Sequence, residues 1–163
     1  MSETTRDLPW LSSANRFRRV FSDILDFFTA RRVEVSGPSM LPQFPPGTRL
    51  VVSQRSLAVR PVERFDVVLV ASTDSRERVD LKRVVGLPGE SVEIRDGGVR
   101  VDGKPLAETH ASATEVSPAK QAAWRLGAAE YFVLGDNRAA STDSRGYGPV
   151  PQSRILGRVV RRF

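Results

Sequence analysis

The sequence predicts a mainly β fold preceded by an amphipathic helix. Three observations carry this: Val- and Ile-rich runs of three to seven residues recur from residue 49 onward, Gly, Pro, Asn and Asp punctuate them, and apolar residues before residue 31 fall at helical spacing.

Residues 1–12 are polar and predict a loose tail. From 14 to 30, Phe17, Val20, Phe21, Ile24, Leu25 and Phe28 lie on one helical face, with Ser12 or Ser13 as N-cap. Residues 14–32 hold five Arg against two Asp, which is half of the formal charge of +6. An aromatic face flanked by arginines suits a helix lying in an anionic membrane surface; it equally suits packing on its own domain or on a second subunit. Strands are expected at 49–53, 66–71, 79–85, 91–95, 99–101, 131–134 and 155–160, with hairpin turns at Asp96-Gly97-Gly98 and Asp102-Gly103. Residues 104–130 are Ala-rich without a clear period and predict an irregular insertion.

The length of 163 residues fits one domain with at most a modest insertion, and 40% apolar with 27% charged residues is ordinary globular composition. Cysteine is absent, which excludes disulfides, thiolate zinc sites and cysteine nucleophiles. A single histidine, His110, leaves little room for a histidine metal cluster, and a serine–histidine protease would have to use it. Acid–base chemistry therefore falls to carboxylates, lysine or tyrosine. Only three of the 25 basic residues are lysines, Lys82, Lys104 and Lys120. Arginine cannot give up its proton, whereas lysine can. A spanning helix needs about 20 apolar residues. The longest charge-free run, 35–48, has 14 residues with four prolines, so no spanning helix is predicted, nor is a secretory signal near Met1.

Three segments are candidates for chemistry. In Val35-Ser-Gly-Pro-Ser39-Met40, a Gly-Pro turn presents a serine. In Val79-Asp-Leu-Lys82-Arg83-Val-Val-Gly-Leu-Pro, the only lysine in a predicted strand sits in a chain that elsewhere writes arginine. Gly135-Asp136-Asn137-Arg138-Ala-Ala-Ser141-Thr-Asp143-Ser144-Arg145 is dense in turn formers, hydroxyls and charge of both signs. Taken singly, each reads as well as a turn, a solvated strand residue or a self-bonded loop. In this order, in a β-rich chain, the three resemble bacterial type I signal peptidases over about residues 35–160; lysine rather than histidine at position 82 points to the bacterial type.

The resemblance implies a β catalytic domain at 34–88 and 131–163, a smaller inserted β or irregular subdomain at 89–130, and a tail with amphipathic helix at 1–33. It implies a serine endopeptidase with Ser39 as nucleophile and Lys82 as general base. Lysine fills that role only when desolvation pulls its pKa far below the free value of about 10.4. Ser141 would orient the Lys82 amine, Arg83 would pair with Asp136, and Asp143 with Arg145. The oxyanion hole would use the Ser39 backbone N–H, and Gly37 stands where some members carry a serine hydroxyl. Substrates would be exported preproteins cut after small residues of an Ala-x-Ala type, with no metal or cofactor. The expected location is the outer face of the cytoplasmic membrane, held through residues 14–32 or by an anchor lost from this chain; the alternative is the cytoplasm, as for a soluble maturation protease of the same family such as the one that trims nickel superoxide dismutase. A self-cleaving repressor-type domain shares the Ser–Lys pair but normally lacks the third motif. A non-enzymatic basic module is the remaining rival; nucleic acid is not an expected partner, because the charge concentrates in a helix whose other face is aromatic.

Overall fold

Strand follows strand along most of the chain. The computed structural model describes residues 30–72, 79–111 and 121–163, so nearly all of the helix expected at 14–30 lies outside the described residues. Among the described residues eleven strands form two sheets, every neighbouring pair antiparallel. The larger holds β1 (Arg31–Glu34), β2 (Arg49–Ser53), β3 (Val67–Ala71), β4 (Val79–Gly86), β9 (Glu130–Leu134), β10 (Val150–Pro151) and β11 (Ile155–Arg162), in the order β1-β2-β11-β3-β4-β9-β10. The smaller holds β5 (Ser91–Arg95), β6 (Gly98–Val101), β7 (Lys104–Pro105) and β8 (Ala122–Arg125), in the order β7-β6-β5-β8. The described residues add two short α-helices, α1 (Arg55–Val59) and α2 (Ser144–Tyr147), and three 3-10 turns. Among the described residues no helix is long and apolar enough to cross a membrane.

The two Asp-Gly turns follow from their chemistry. Asp96 and Gly97 have φ of 51° and 76°, Asp102 and Gly103 have 48° and 75°, and two successive positive φ values make the tight hairpin turn that Asp-Gly favours. Besides the short elements α1 and β10, three strands depart from expectation. Residues 31–34, which follow the expected helix and where no strand was expected, form the edge strand β1 and pair with β2 from Arg31↔Val52 to Glu34↔Arg49. Within the stretch expected to be irregular, β7 pairs with β6 and β8 with β5. Arg-Arg-Val-Glu and Ala-Ala-Trp-Arg carry weak strand propensity; their partners' free edges decide the outcome.

Three apolar clusters hold the sheets. Val68, Val70, Val84, Val133 and Ile155 form the first, within the large sheet. The second joins the sheets: Val92, Ile94 and Val99 of the small one pack with Val85, Phe132 and Leu134 of the large one. Gly86 lies at that seam, where an added Cβ would come within 2.5 Å of Val92 and 2.9 Å of Phe132, so only glycine lets the strands approach. The third, Val35, Met40, Phe44, Leu50 and Val67, lies beneath the serine turn.

Candidate active site

Ser39 sits in a 3-10 turn, Pro38–Met40, entered through extended Gly37 (φ −114°, ψ 168°). Pro38 presets the turn, and fully buried Met40 roots it in the third cluster. The chain then loops back, with Val35 N donating to Thr48 O at 2.9 Å and Gly47 N to Val35 O at 2.8 Å. The serine is thus a partly exposed residue on a firmly seated turn.

Lys82 comes from β4, opposite Val68 of β3, and is 3% exposed. Its Nζ lies 3.2 Å from Ser39 Oγ. Burial of an amine disfavours its ammonium form, and the neutral amine is the form that accepts a proton.

The next residue, Arg83, pairs with Leu134 of β9, which brings Asp136 alongside. Arg83 Nε and Nη2 donate to the two Asp136 oxygens at 2.7 Å each, with the side chains 7% and 1% exposed. Arg83 also donates to Phe65 O at 2.9 Å and to Gln43 Oε1 at 2.6 Å. One planar guanidinium therefore ties the lysine strand to the third motif and to the loop after the serine.

Asp143 caps α2 and accepts from Arg145 Nε and Nη2 at 2.8 and 2.9 Å; its Oδ2 also takes Gly135 N at 3.0 Å. Arg145 reaches on to Arg138 O at 2.7 Å. Gly135 allows no side chain: a Cβ would stand 2.3 Å from Ser141 Oγ and 2.6 Å from Ser39 O. Ser141 Oγ, packed at that point, is buried and has no hydrogen-bond partner, so the bond expected between it and Lys82 is not formed in this structure. Gly37 is at the start of the turn with open space around it, since a Cβ would meet nothing within 4 Å.

Several residues of the site were not singled out by sequence. Asn137 N donates to Ser39 O at 3.0 Å and its Nδ2 to Pro38 O at 3.3 Å, holding the serine turn on the third motif. Ser144 Oγ accepts from Val133 N at 3.0 Å, and Arg138 Nε donates to Gly135 O at 3.0 Å. Arg138 Nη2 also donates to Glu108 Oε1, and His110 Nε2 lies 3.5 Å from the same oxygen without hydrogen-bond alignment. Burial pushes the Glu108 carboxyl up, but neighbouring His110 and Arg138 outweigh it and hold it below the ordinary carboxylate value. Asn137, Arg138 and Ser144 at least lay inside a quoted motif; Gln43 and Glu108 carry no sequence signal. Among the described residues no three His, Asp or Glu side chains gather where they could hold a metal ion.

A serine and a buried lysine within hydrogen-bonding distance, braced by two Arg–Asp pairs, is a layout for acyl transfer. Residues 19–163 match the family described as signal peptidase, peptidase S26. The chain belongs to that family. It is 35% identical over 146 residues to signal peptidase I of Leptolyngbya laminosa, covering 83% of this chain and 70% of that one. It is 35% identical over 136 residues to signal peptidase I V of Bacillus subtilis, covering 76% and 80%. The crystal structure of a signal peptidase I from Enterococcus faecalis superposes with a TM-score of 0.52 at 31% identity, over 63% of this chain and 98% of that one. The mainly β architecture is the signal peptidase I fold, and the reaction is endoproteolytic removal of signal peptides.

Proposed function

We propose that this signal peptidase works through a Ser39–Lys82 dyad. The reading rests on one observation above the others: Nζ of a lysine 3% exposed lies 3.2 Å from the serine oxygen. A serine hydroxyl is a poor nucleophile until a base takes its proton. The neutral Lys82 amine accepts that proton as Ser39 Oγ attacks the scissile carbonyl, then returns it to the departing amine. In the second half, the same amine takes a proton from water, whose oxygen attacks the acyl carbon, and passes that proton to Ser39 Oγ as the ester C–O bond breaks, restoring the serine hydroxyl and the neutral amine. Ser141 Oγ, buried and without a hydrogen-bond partner, is free to turn its hydroxyl toward the amine and orient it during the reaction. The Ser39 backbone N–H faces the developing oxyanion, and Gly37 adds backbone only. Arg83–Asp136 and Asp143–Arg145 keep the lysine strand, the serine turn and the third motif in register.

The substrates are preproteins cut after small residues of an Ala-x-Ala motif. The enzyme works at the outer face of the cytoplasmic membrane, where the arginines and phenylalanines of 14–32 attach it to anionic lipid. Ser39→Ala tests the nucleophile: cleavage of an Ala-x-Ala peptide should fall by at least about 10³-fold while thermal unfolding stays near that of the parent. Cleavage at the parent rate by this variant overturns the reading.

A further inference from the structure

Glu108 lies outside all three motifs, yet it forms one of the most deeply buried ion pairs among the described residues. Its carboxylate takes Arg138 Nη2, with the two side chains 9% and 5% exposed. Glu108 belongs to the stretch that follows β7. That stretch leaves the small sheet at Leu106, whose N donates to Val99 O at 2.9 Å, and runs onto the large one. It docks at two points. Glu108 grips Arg138, and the His110 ring meets Phe65 edge-on, with centroids 5.0 Å apart and planes at 65°. The Phe65 carbonyl is the one that Arg83 Nη1 holds.

Arg138 is fixed on its other sides within the third motif. Its Nε donates to Gly135 O at 3.0 Å, and its own carbonyl accepts from Arg145 at 2.7 Å. The backbone it pins, 135–137, is the one against which Ser39 rests: Gly135 abuts Ser39 O and Ser141 Oγ, and Asn137 N donates to Ser39 O. A continuous path therefore runs from Glu108 through a charge-assisted bond to Arg138, then through the 135–137 backbone to the serine turn. The carboxyl stays ionised at neutral pH, so the pair is a true ion pair.

We infer that Glu108 is a positioning residue: acting through Arg138, it fixes the 135–138 backbone and with it the angle at which Ser39 Oγ faces Lys82 Nζ. This rests on the dyad reading and adds to it a task for the stretch that leaves the small sheet. That stretch contributes to the rate of the reaction and not only to the fold.

The test is a double-mutant cycle on the whole chain, with kcat and KM measured on an Ala-x-Ala peptide well below the melting temperatures. A misplacement of about 1 Å can cost about 10²-fold in rate. Glu108→Gln and Arg138→Gln should each lower kcat between about tenfold and a hundredfold with KM unchanged within about twofold. The double variant should be no slower than the slower single, because both act on one path. Losses that multiply in the double variant, a loss in KM alone, or an unchanged kcat overturn the proposal. Glu108→Asp keeps the charge but shortens the arm, and it serves if Glu108→Gln does not fold. Its kcat should fall at an unchanged melting temperature, and a parental kcat overturns the proposal. Ser39→Ala is measured in parallel: cleavage by that variant counts against the dyad, whereas its silence beside a fully active Glu108→Gln counts against positioning alone.

Discussion

Around the serine turn the large sheet and its loops bury Lys82, Arg83, Asp136, Arg138 and Asp143, whereas the small sheet buries Val92, Ile94, Val99 and Val101 and keeps charges outside. Arg95 and Asp96, at a hairpin tip of the small sheet, are 57% and 76% exposed. The contrast separates two tasks. Apolar burial is non-directional and supplies stability in proportion to area. A buried guanidinium–carboxylate pair repays its desolvation only with good geometry, so its net contribution to stability is small. What it supplies is direction: Arg83 holds Asp136, Phe65 and Gln43 at fixed angles, and Arg145 holds Asp143, Arg138 and Ser141. The small sheet and the segments flanking it attach through an apolar seam at Val85, Phe132 and Leu134, and through ionic contacts of Glu90 with Arg64 and of Glu108 with Arg138.

Breaking one half of a buried pair should give the largest effect. Asp136→Asn leaves Arg83 without its bidentate carboxylate and should cost about 3–5 kcal/mol in urea unfolding, with kcat lowered as well. If unfolding is unchanged, the pair is not a brace. A smaller effect of a different kind is expected across the seam. Ile94→Val should cost about 0.5–1.5 kcal/mol, while kcat per folded molecule stays at the parent value. A kcat loss there would erase the division of labour between the sheets. The smallest effect belongs to Gly37→Ser. Its φ of −114° suits any residue and a Cβ meets nothing within 4 Å, so stability should stay within about 0.5 kcal/mol. A hydroxyl at the mouth of the proposed oxyanion site should leave kcat equal or higher. A lower kcat would mean that the open space at Gly37 is needed by the substrate.

The sequence announced these regions unequally. Strand β2 and the two Asp-Gly hairpins were legible because propensity and turn chemistry act locally. β1 and β8 were not, because Arg-Arg-Val-Glu and Ala-Ala-Trp-Arg become strands only when β2 and β5 offer edges to them. Ser39 and Lys82 stand 43 positions apart, and nothing local marks them as neighbours; the three motifs in order did so by resemblance. Asn137 acts on the serine turn through its backbone N–H as well as its side chain, and Gln43 and Glu108 act through partners 40 and 30 residues away. Such roles arise from tertiary contact and leave no periodicity to read. Even Gly135, visible in its motif, shows why it must be glycine only when Ser141 and Ser39 crowd its α-carbon.

The central claim is that position 82 needs a base, not a charge. Lys82→Arg tests it most directly, because arginine keeps the positive charge and cannot release its proton at working pH. With the variant shown to be folded by circular dichroism, cleavage of an Ala-x-Ala peptide should fall by at least about 10³-fold. Cleavage within about tenfold of the parent rate would contradict the account, since a side chain that cannot accept a proton would then be serving at position 82.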